Sequence, residues 1–402
     1  MKNNVSQRLL KLRGNRELAE LLSYAYLYNE KTVIHKDAAF SAHFHYVAQD
    51  VDSSTGAILD ANAEAVCQAL NLLEDGWMVE TNLMSCEDKR YANSQMFPDV
   101  VSALIDDARR FNFEQEARFF KSTCYLSLSY VPTDILGKKL SKWVVDAEEK
   151  TLSIEDEYVY FESTLSRFLT HFKKITEGHM NPDKTAINRV NLEGWSHLTR
   201  LQADELVTFL HQCITAHSQK LSSPQVGYFL DAYLSSQPFI AGVRPKIGEQ
   251  WIKVLSVDDL PESTYPAILD ELNYLGFEYR WSSRFIPLSK LTAEKYLNAI
   301  KNRWANKAIG LLGSLKLAMG IAPQIDEAAQ ENKERTQHAM KENSAGEVRY
   351  GFMTSVIILM NEDYTQLEQA ARQMTQTIEA LNFKVREESV NATEAYLGSL
   401  PG

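Results

Sequence analysis

Four cysteines in 402 residues is a small number, and none belongs to a Cys-x-x-Cys pair. Cys67, Cys86, Cys124 and Cys213 are far apart, which argues against a structural zinc site. So few thiols in so long a chain fit a reduced, cytosolic protein. Long apolar runs are missing as well. The longest weakly polar stretch, residues 308–323, is interrupted by Lys316 and falls short of the about 20 residues that a spanning helix needs. Residues 1–23 carry bases but no continuous apolar stretch, so they do not form a secretory signal. Clustered positive charge is also lacking. The net charge is −11, and a broad nucleic-acid surface requires Lys and Arg gathered on one face, so no direct nucleic-acid partner is expected.

The familiar catalytic patterns are absent too. There is no Gly-x-x-x-x-Gly-Lys-[Ser/Thr] loop. The nearest fragments, Ile135-Leu-Gly-Lys-Lys139 and Ala241-Gly-Val-Arg-Pro-Lys-Ile-Gly248, lack the glycines that aim backbone N–H groups at a phosphate, and both read as structural loops. No Gly-x-Ser-x-Gly elbow or His-Glu-x-x-His pair occurs. Carboxylate pairs such as Asp106-Asp107, Glu148-Glu149 and Asp258-Asp259 are adjacent in sequence and do not face one another on a helix.

What remains is an ordinary globular chain, 45% hydrophobic and 24% charged, long enough for two or three domains. Residues 1–30 read as a basic amphipathic helix. Lys2, Arg8, Lys11, Arg13 and Arg16 precede the first acid, Glu17, and Leu9, Leu10, Leu12, Leu18, Leu21 and Leu22 supply an apolar side. Such a helix packs on its own domain or, through residues 1–22, touches an anionic membrane face. A hairpin follows, Thr32 to His35 and Ala39 to Val47 around Lys36-Asp37. Leu59, Ala63, Val66, Leu70 and Leu73 then form a helical stripe that ends at Gly76, and Trp77 opens a strand. The same device recurs at Ile268, Leu272, Leu275 and Gly276, and at Leu367, Ala371, Met374, Ile378, Leu381 and Asn382. Gly and Asn at these stops tolerate positive φ.

The halves also match in order. Residues 32–84 and 239–286 both read strand, strand, helix, strand, and each half later has a strand followed by a striped helix. The expected fold is α+β: two tandem, divergently repeated sheet-plus-helix units joined by a helical linker, with helices on one sheet face. The expected boundaries are 1–30 for the N-terminal helix, 31–176 for the first unit, 177–237 for the linker and 238–402 for the second unit. Residues 290–343 read as almost wholly helical, and their end, Gln324 to Glu342, as a solvated helix.

Two side-chain groups invite a functional reading. His43 and His45 lie two apart in a strand, with His35 across the hairpin, so three imidazoles share one sheet face and could hold zinc or copper with help from Asp50. On that reading the chain is a free-standing metal-dependent hydrolase; the plainer reading makes them exposed residues opposite Ala42, Phe44 and Tyr46. A peripheral membrane adaptor is a further alternative. Trp281-Ser-Ser-Arg284 opens a strand with a polar, aromatic cluster. Arg284 could grip a carboxylate ligand bidentately, and a buried pair within the domain is the plainer role.

Residues Asn391 to Gly402 form a short helix-prone run closed by Gly398 and Pro401, which predicts a left-handed glycine, a helix stop and a domain border. Three stretches together resemble one family. Tyr279-Arg-Trp-Ser-Ser-Arg-Phe-Ile286, with Arg280, Trp281, Ser283 and Arg284, resembles the arginine-tryptophan-serine strand of TrbE/CagE-type conjugation and type IV secretion assembly ATPases. Gly351 to Leu359, the striped helix and Phe383-Lys-Val385 are similar to that family's closing β-α-β. Asn391-Ala-Thr-Glu-Ala-Tyr-Leu-Gly-Ser-Leu-Pro-Gly402, with Asn391, Ala392, Leu397, Pro401 and Gly402, resembles its stretch just ahead of the motor domain. The resemblance implies a chain truncated before the Walker A motor, and a non-catalytic scaffold that docks that motor on inner-membrane channel subunits and supports a homo-oligomeric ring. It implies a cytoplasmic position peripheral to the bacterial inner membrane and a translocated substrate of DNA or protein. ATP and magnesium would belong to the full-length parent, with no cofactor, catalytic or metal residue in the present chain.

Overall fold

The computed structural model of the chain describes residues 17–48, 54–88, 91, 97, 99–116, 119–132, 154–177, 197–225, 227–318 and 326–402. Residues 1–16, Asp50, the Ile135–Lys139 loop and residues 178–196 of the expected linker lie outside them. The described chain begins with a four-residue helix, α1 (Leu18–Leu21), and then β1 (Tyr24–Tyr28), β2 (Thr32–His35) and β3 (Phe40–Val47). Helix α2 (Gly56–Asn71), β4 (Trp77–Glu87), α3 (Val100–Phe111), β5 (Phe120–Tyr130), α4 (Ile154–Glu177) and β6 (His197–Arg200) complete a first half. Helices α5 (Ala203–Thr215) and α6 (Leu230–Leu234) connect it to the second. That half holds β7 (Phe239–Ile240), β8 (Lys246–Ile247), β9 (Gln250–Asp259), a 3-10 turn (Asp270–Tyr274) and β10 (Tyr279–Pro287). It ends with α7 (Lys290–Ala318), α8 (Glu327–Ala345), β11 (Gly351–Asn361), α9 (Tyr364–Ala380), β12 (Lys384–Glu387) and α10 (Ala392–Leu397).

The two units are not separate bodies. Their strands join one antiparallel sheet in the order β1-β2-β3-β5-β4-β10-β11-β9-β8-β7, with β6 also on β3 and β12 also on β9. The order reads the same from both ends. In the first unit β6, β3, β5 and β4 stand as strands four, one, three and two of a βαββαβ repeat, and in the second β12, β9, β11 and β10 do the same. A two-stranded hairpin, β1–β2 or β7–β8, extends the first strand of each unit outward. The second strands, β4 and β10, meet in the middle over seven residue pairs. The repeat expected from the order of elements is therefore present as a pseudo-twofold sheet.

Alternation along each strand sends side chains to two faces. On the outer face of the first unit, Phe40, Phe44, Trp77, Leu126 and Leu128 pack under α2 and α4, which contribute Ala69, Phe161, Leu165 and Phe168. Trp77 and Phe161 stack at 5.5 Å with an interplanar angle of 11°. In the second unit Leu255, Tyr279, Trp281, Ile357 and Leu359 pack under α9 and the 3-10 turn. Helix α9 starts where the Asp363 carboxylate accepts from Thr365 N at 2.7 Å and Gln366 N at 3.3 Å, satisfying two of the free N–H groups of its first turn. Gly76 (φ 92) and Asn382 (φ 65) make the expected turns from helix to strand.

Several expectations are corrected. Helices cover both sheet faces, because α5 packs on the inner face with α1, α6 and α10. Eight of the thirteen residues of α5 are buried, so this connector is also core. The helix expected over 1–30 does not continue through its described part, where the Tyr-rich alternation at Tyr24–Tyr28 favours β1. The second unit's stripe at Ile268, Leu272 and Leu275 forms only a 3-10 turn and ends without positive φ at Gly276. Helix α8 keeps the expected solvated character, with only Ala329, Thr336 and Asn343 buried, and lies along α7. That helical pair is tied to the first unit by Asp75, which accepts from Ser289 N at 2.8 Å and Thr292 Oγ1 at 2.9 Å.

Candidate functional site

Where β4 meets β10, the inner face turns polar. Register places Glu80 opposite Arg284, Asn82 opposite Ser282 and Met84 opposite Arg280. Directly opposed residues share a face and lie within reach of each other. Arg284 donates from Nε (3.1 Å) and Nη2 (2.9 Å) to Glu80 Oε2, while Ser282 Oγ (3.1 Å) and Asn82 Nδ2 (2.7 Å) donate to Glu80 Oε1. Glu80 is fully buried and Arg280 is 6% exposed.

The last residues of the chain lie across this seam. Arg280 Nη1 donates to Asn82 Oδ1 at 2.9 Å and to the Ser399 carbonyl at 2.6 Å, and its Nη2 donates to Ser399 Oγ at 2.7 Å. Arg284 Nη2 donates to the Leu400 carbonyl at 2.5 Å. Ser399 Oγ in turn donates to the Tyr396 carbonyl at 2.6 Å. Only Arg284 reaches the Glu80 carboxylate; Arg280 has no carboxylate partner here and is held by Asn82 and Ser399, while the Leu400 carbonyl takes a further Arg284 N–H. The Tyr396 hydroxyl donates to the Ile214 carbonyl at the end of α5, so α10 is fixed to the central helix.

Beside the seam runs a chain of hydroxyls and imidazoles. His35 Nδ1 contacts Ser23 Oγ at 3.0 Å and its Nε2 contacts Ser41 Oγ at 2.7 Å. Ser41 Oγ lies 3.0 Å from His43 Nε2, and His43 Nδ1 lies 2.8 Å from Ser127 Oγ. Burial lowers His35 to about 4, with Asp37 opposing the shift and Arg284 adding to it. Burial, then His35 and Arg200, lowers His43 to about 3. Both rings are neutral at physiological pH. Tyr24, whose ring is 5.6 Å from that of His35, has its hydroxyl pushed far up, chiefly by burial.

This arrangement corrects the metal reading. His35 and His43 are buried rather than exposed, a serine hydroxyl occupies each of their ring nitrogens, and His45 turns to Tyr125 at 5.6 Å. Among the described residues no three His, Cys, Asp or Glu side chains gather as a metal group.

The other singled-out residues divide between the faces. Trp281 and Ser283 point outward from β10, where Trp281 Nε1 donates to Ser355 Oγ (2.5 Å) and Ser283 Oγ (3.2 Å). Asn391 precedes α10 and its carbonyl accepts from Ala395 N at 2.8 Å, without a side-chain cap. Ala392 is buried and Leu397 packs at the edge of the inner core. Gly398 is not left-handed: its φ is −68, and it is small because a Cβ would come 2.9 Å from the Glu394 carbonyl oxygen. Pro401 is buried. Gly402, at φ 105, packs so tightly on His35 that a Cβ would lie 2.3 Å from ring carbon Cε1. Sequence reasoning missed Glu80, Asn82 and Ser399. The only signal was polar residues at 80 and 82 interrupting an apolar strand, and nothing local ties them to residues about two hundred positions away.

Comparisons with known proteins agree with the resemblance noted above. Residues 192–402 match the family described as "CagE, TrbE, VirB family, component of type IV transporter system". Residues 31–135 match "Type IV secretion system ATPase VirB4/TrbE, N-terminal domain". The chain is similar to the conjugal transfer protein TrbE of Rhizobium radiobacter, 27% identical over 390 residues, which is 96% of this chain and 46% of that protein. It is also similar to two chains of Sinorhizobium fredii (strain NBRC 101917 / NGR234), each described as a portion of a probable conjugal transfer protein TrbE. One is 34% identical over 199 residues, 50% of this chain and 30% of that one. The other is 29% identical over 118 residues, 29% of this chain and 79% of that one. The chain spans about half the length of the Rhizobium relative.

Proposed function

This chain belongs to the CagE, TrbE, VirB family of type IV transporter components, and we propose that it is the non-catalytic docking platform of a type IV secretion or conjugative-transfer ATPase. In this reading it joins the motor to inner-membrane channel subunits and supports assembly of the homo-oligomer. The observation that supports it most is the seam: Arg280 and Arg284 of the second unit grip the backbone of Ser399 and Leu400, Asn82 and Glu80 of the first unit hold those arginines, and Gly402 packs on His35, so a domain carried beyond Gly402 would be mounted on the whole twelve-stranded sheet. ATP and magnesium belong, in this proposal, to that following portion of the parent. The present sequence contains no Gly-x-x-x-x-Gly-Lys-[Ser/Thr] loop, and none of its residues is given a step in hydrolysis. Among the described residues no helix is long and apolar enough to cross a membrane. Attachment at the cytoplasmic face of the inner membrane is therefore assigned to channel subunits, with the basic residues 1–22 adding an electrostatic contact to anionic lipid.

The test is a paired purification of this chain and its full-length parent from cells expressing the channel subunits. The chain alone is expected to retain inner-membrane subunits and to turn over no ATP, while the parent does both. ATP turnover by the chain alone removes the non-catalytic reading. Subunit retention by the parent but not by the chain removes the docking reading.

A further inference from the structure

We propose that Ser399–Gly402 is a latch that fixes the direction in which the parent chain leaves the platform, with Arg280 and Arg284 as its positioning residues. The proposal rests on the reading above, that a motor follows. It comes from which atoms are held. The two guanidiniums take main-chain carbonyls, of Ser399 and Leu400, so they fix the path of the backbone. A planar guanidinium fork sets angle as well as distance, which a lysine ammonium does not. Pro401 restricts its own φ to about −65°. Gly402 is then pinned against His35 in a conformation that other residues rarely adopt. Ser-Leu-Pro-Gly is a composition expected of a turn or linker. Here all four residues are specified, and the anchors come from both units: Arg280 and Arg284 from β10 of the second, His35 from β2 of the first.

The latch also has a reason to stay shut. Lifting the strap removes two of the three acceptors of Arg280 and leaves its buried guanidinium with Asn82 alone. Glu80 is already engaged by Arg284, Asn82 and Ser282. An open state therefore forfeits two charge-assisted hydrogen bonds of Arg280 and the Arg284 bond to Leu400, which disfavours it.

Pulsed dipolar spectroscopy on the full-length parent tests this, with one spin label at Arg372 on the exposed side of α9 and one in the domain beyond Gly402. The unmodified latch is expected to give a single narrow distance. Arg280→Met and, separately, Gly402→Val are each expected to lose that narrow peak, while Trp281→Phe, on the opposite face of the same strand, keeps it. Gly402→Val touches no residue of the apolar core and keeps the test decisive should Arg280→Met fail to fold. A narrow peak surviving in Gly402→Val overturns the latch and leaves the platform reading intact. A parent that hydrolyses no ATP removes the platform reading, and the latch with it.

Discussion

Glu80 is completely buried, and its partners Arg284, Asn82 and Ser282 fill both of its oxygens. Removing one member of a buried pair costs more than removing both, because the remaining charge has no solvent to return to. Glu80→Ala is therefore expected to lose about 3–5 kcal/mol in urea unfolding, and Glu80→Met combined with Arg284→Met to recover most of it. A single-variant loss below about 1 kcal/mol marks an exposed pair instead. The neighbouring imidazoles add a pH dependence whose sign is fixed by their depressed values. His35 titrates near 4 and His43 near 3 in the folded chain, against about 6.5 when unfolded. Below about 6.5 the unfolded chain takes up protons that the folded chain refuses. Stability is complete above that value and falls as pH drops toward 4 for His35 and toward 3 for His43, by a few kcal/mol each. Denaturation at pH 7 and pH 5 measures it. His43→Gln is expected to lose less between the two than the parent sequence does, and an equal loss places the titrating group elsewhere.

Helices with a clean apolar stripe were legible from the residues, and the reason is local. In α9 the buried set Leu367, Ala371, Met374 and Ile378 is the stripe itself, and Asp363 caps it three residues before Gln366. Asp363→Ala is expected to cost about 1 kcal/mol in thermal or urea unfolding, as for other N-caps, with no change in the sheet. A loss indistinguishable from zero shows the cap to be replaced by water. Elements whose state is decided by distant partners were not legible. Tyr24–Tyr28 continues the leucine-rich run before it, yet pairs with β2, with a register shift between Tyr24 and Tyr26 that leaves Tyr24 and Leu27 on the inner core with the α5 layer. The turn at Asp270–Tyr274 has the spacing of a helix but only Leu272 buried within it. The seam was half legible. Arg284 stood out as a base in an aromatic strand, whereas its acceptor Glu80 lies 204 residues earlier and reads as an ordinary strand acid. The histidines misled because sharing a strand face says nothing about what covers that face, here α5 with Phe209 5.6 Å from His43.

At the scale of the whole molecule, the palindromic sheet makes the two units one cooperative body. β4 would be an open edge of eleven residues in an isolated first unit, since its partner β10 comes from the second. An edge that long, with Met84 uncovered by the loss of its inner-face neighbours and no charge but Glu80 and Glu87 along it, invites pairing with other chains. The inner core crosses the division as well: Tyr24 and Val33 of the first unit, Leu210 and Ile214 of α5, and Ile252 and Tyr396 of the second lie in one cluster. Residues 17–200 expressed alone are therefore expected to be insoluble or associated, and co-expression with residues 201–402 to give a soluble one-to-one complex. The intact chain is expected to unfold in one transition, with calorimetric and van't Hoff enthalpies equal. In hydrogen exchange, β4 and β10 should open only with the whole structure, while the two-residue strands β7 and β8 exchange earlier. A monomeric, folded 17–200 fragment, or two resolved transitions in the intact chain, shows the units to be independent domains that merely touch, and a strap clamped between them would then brace two bodies rather than report the position of one.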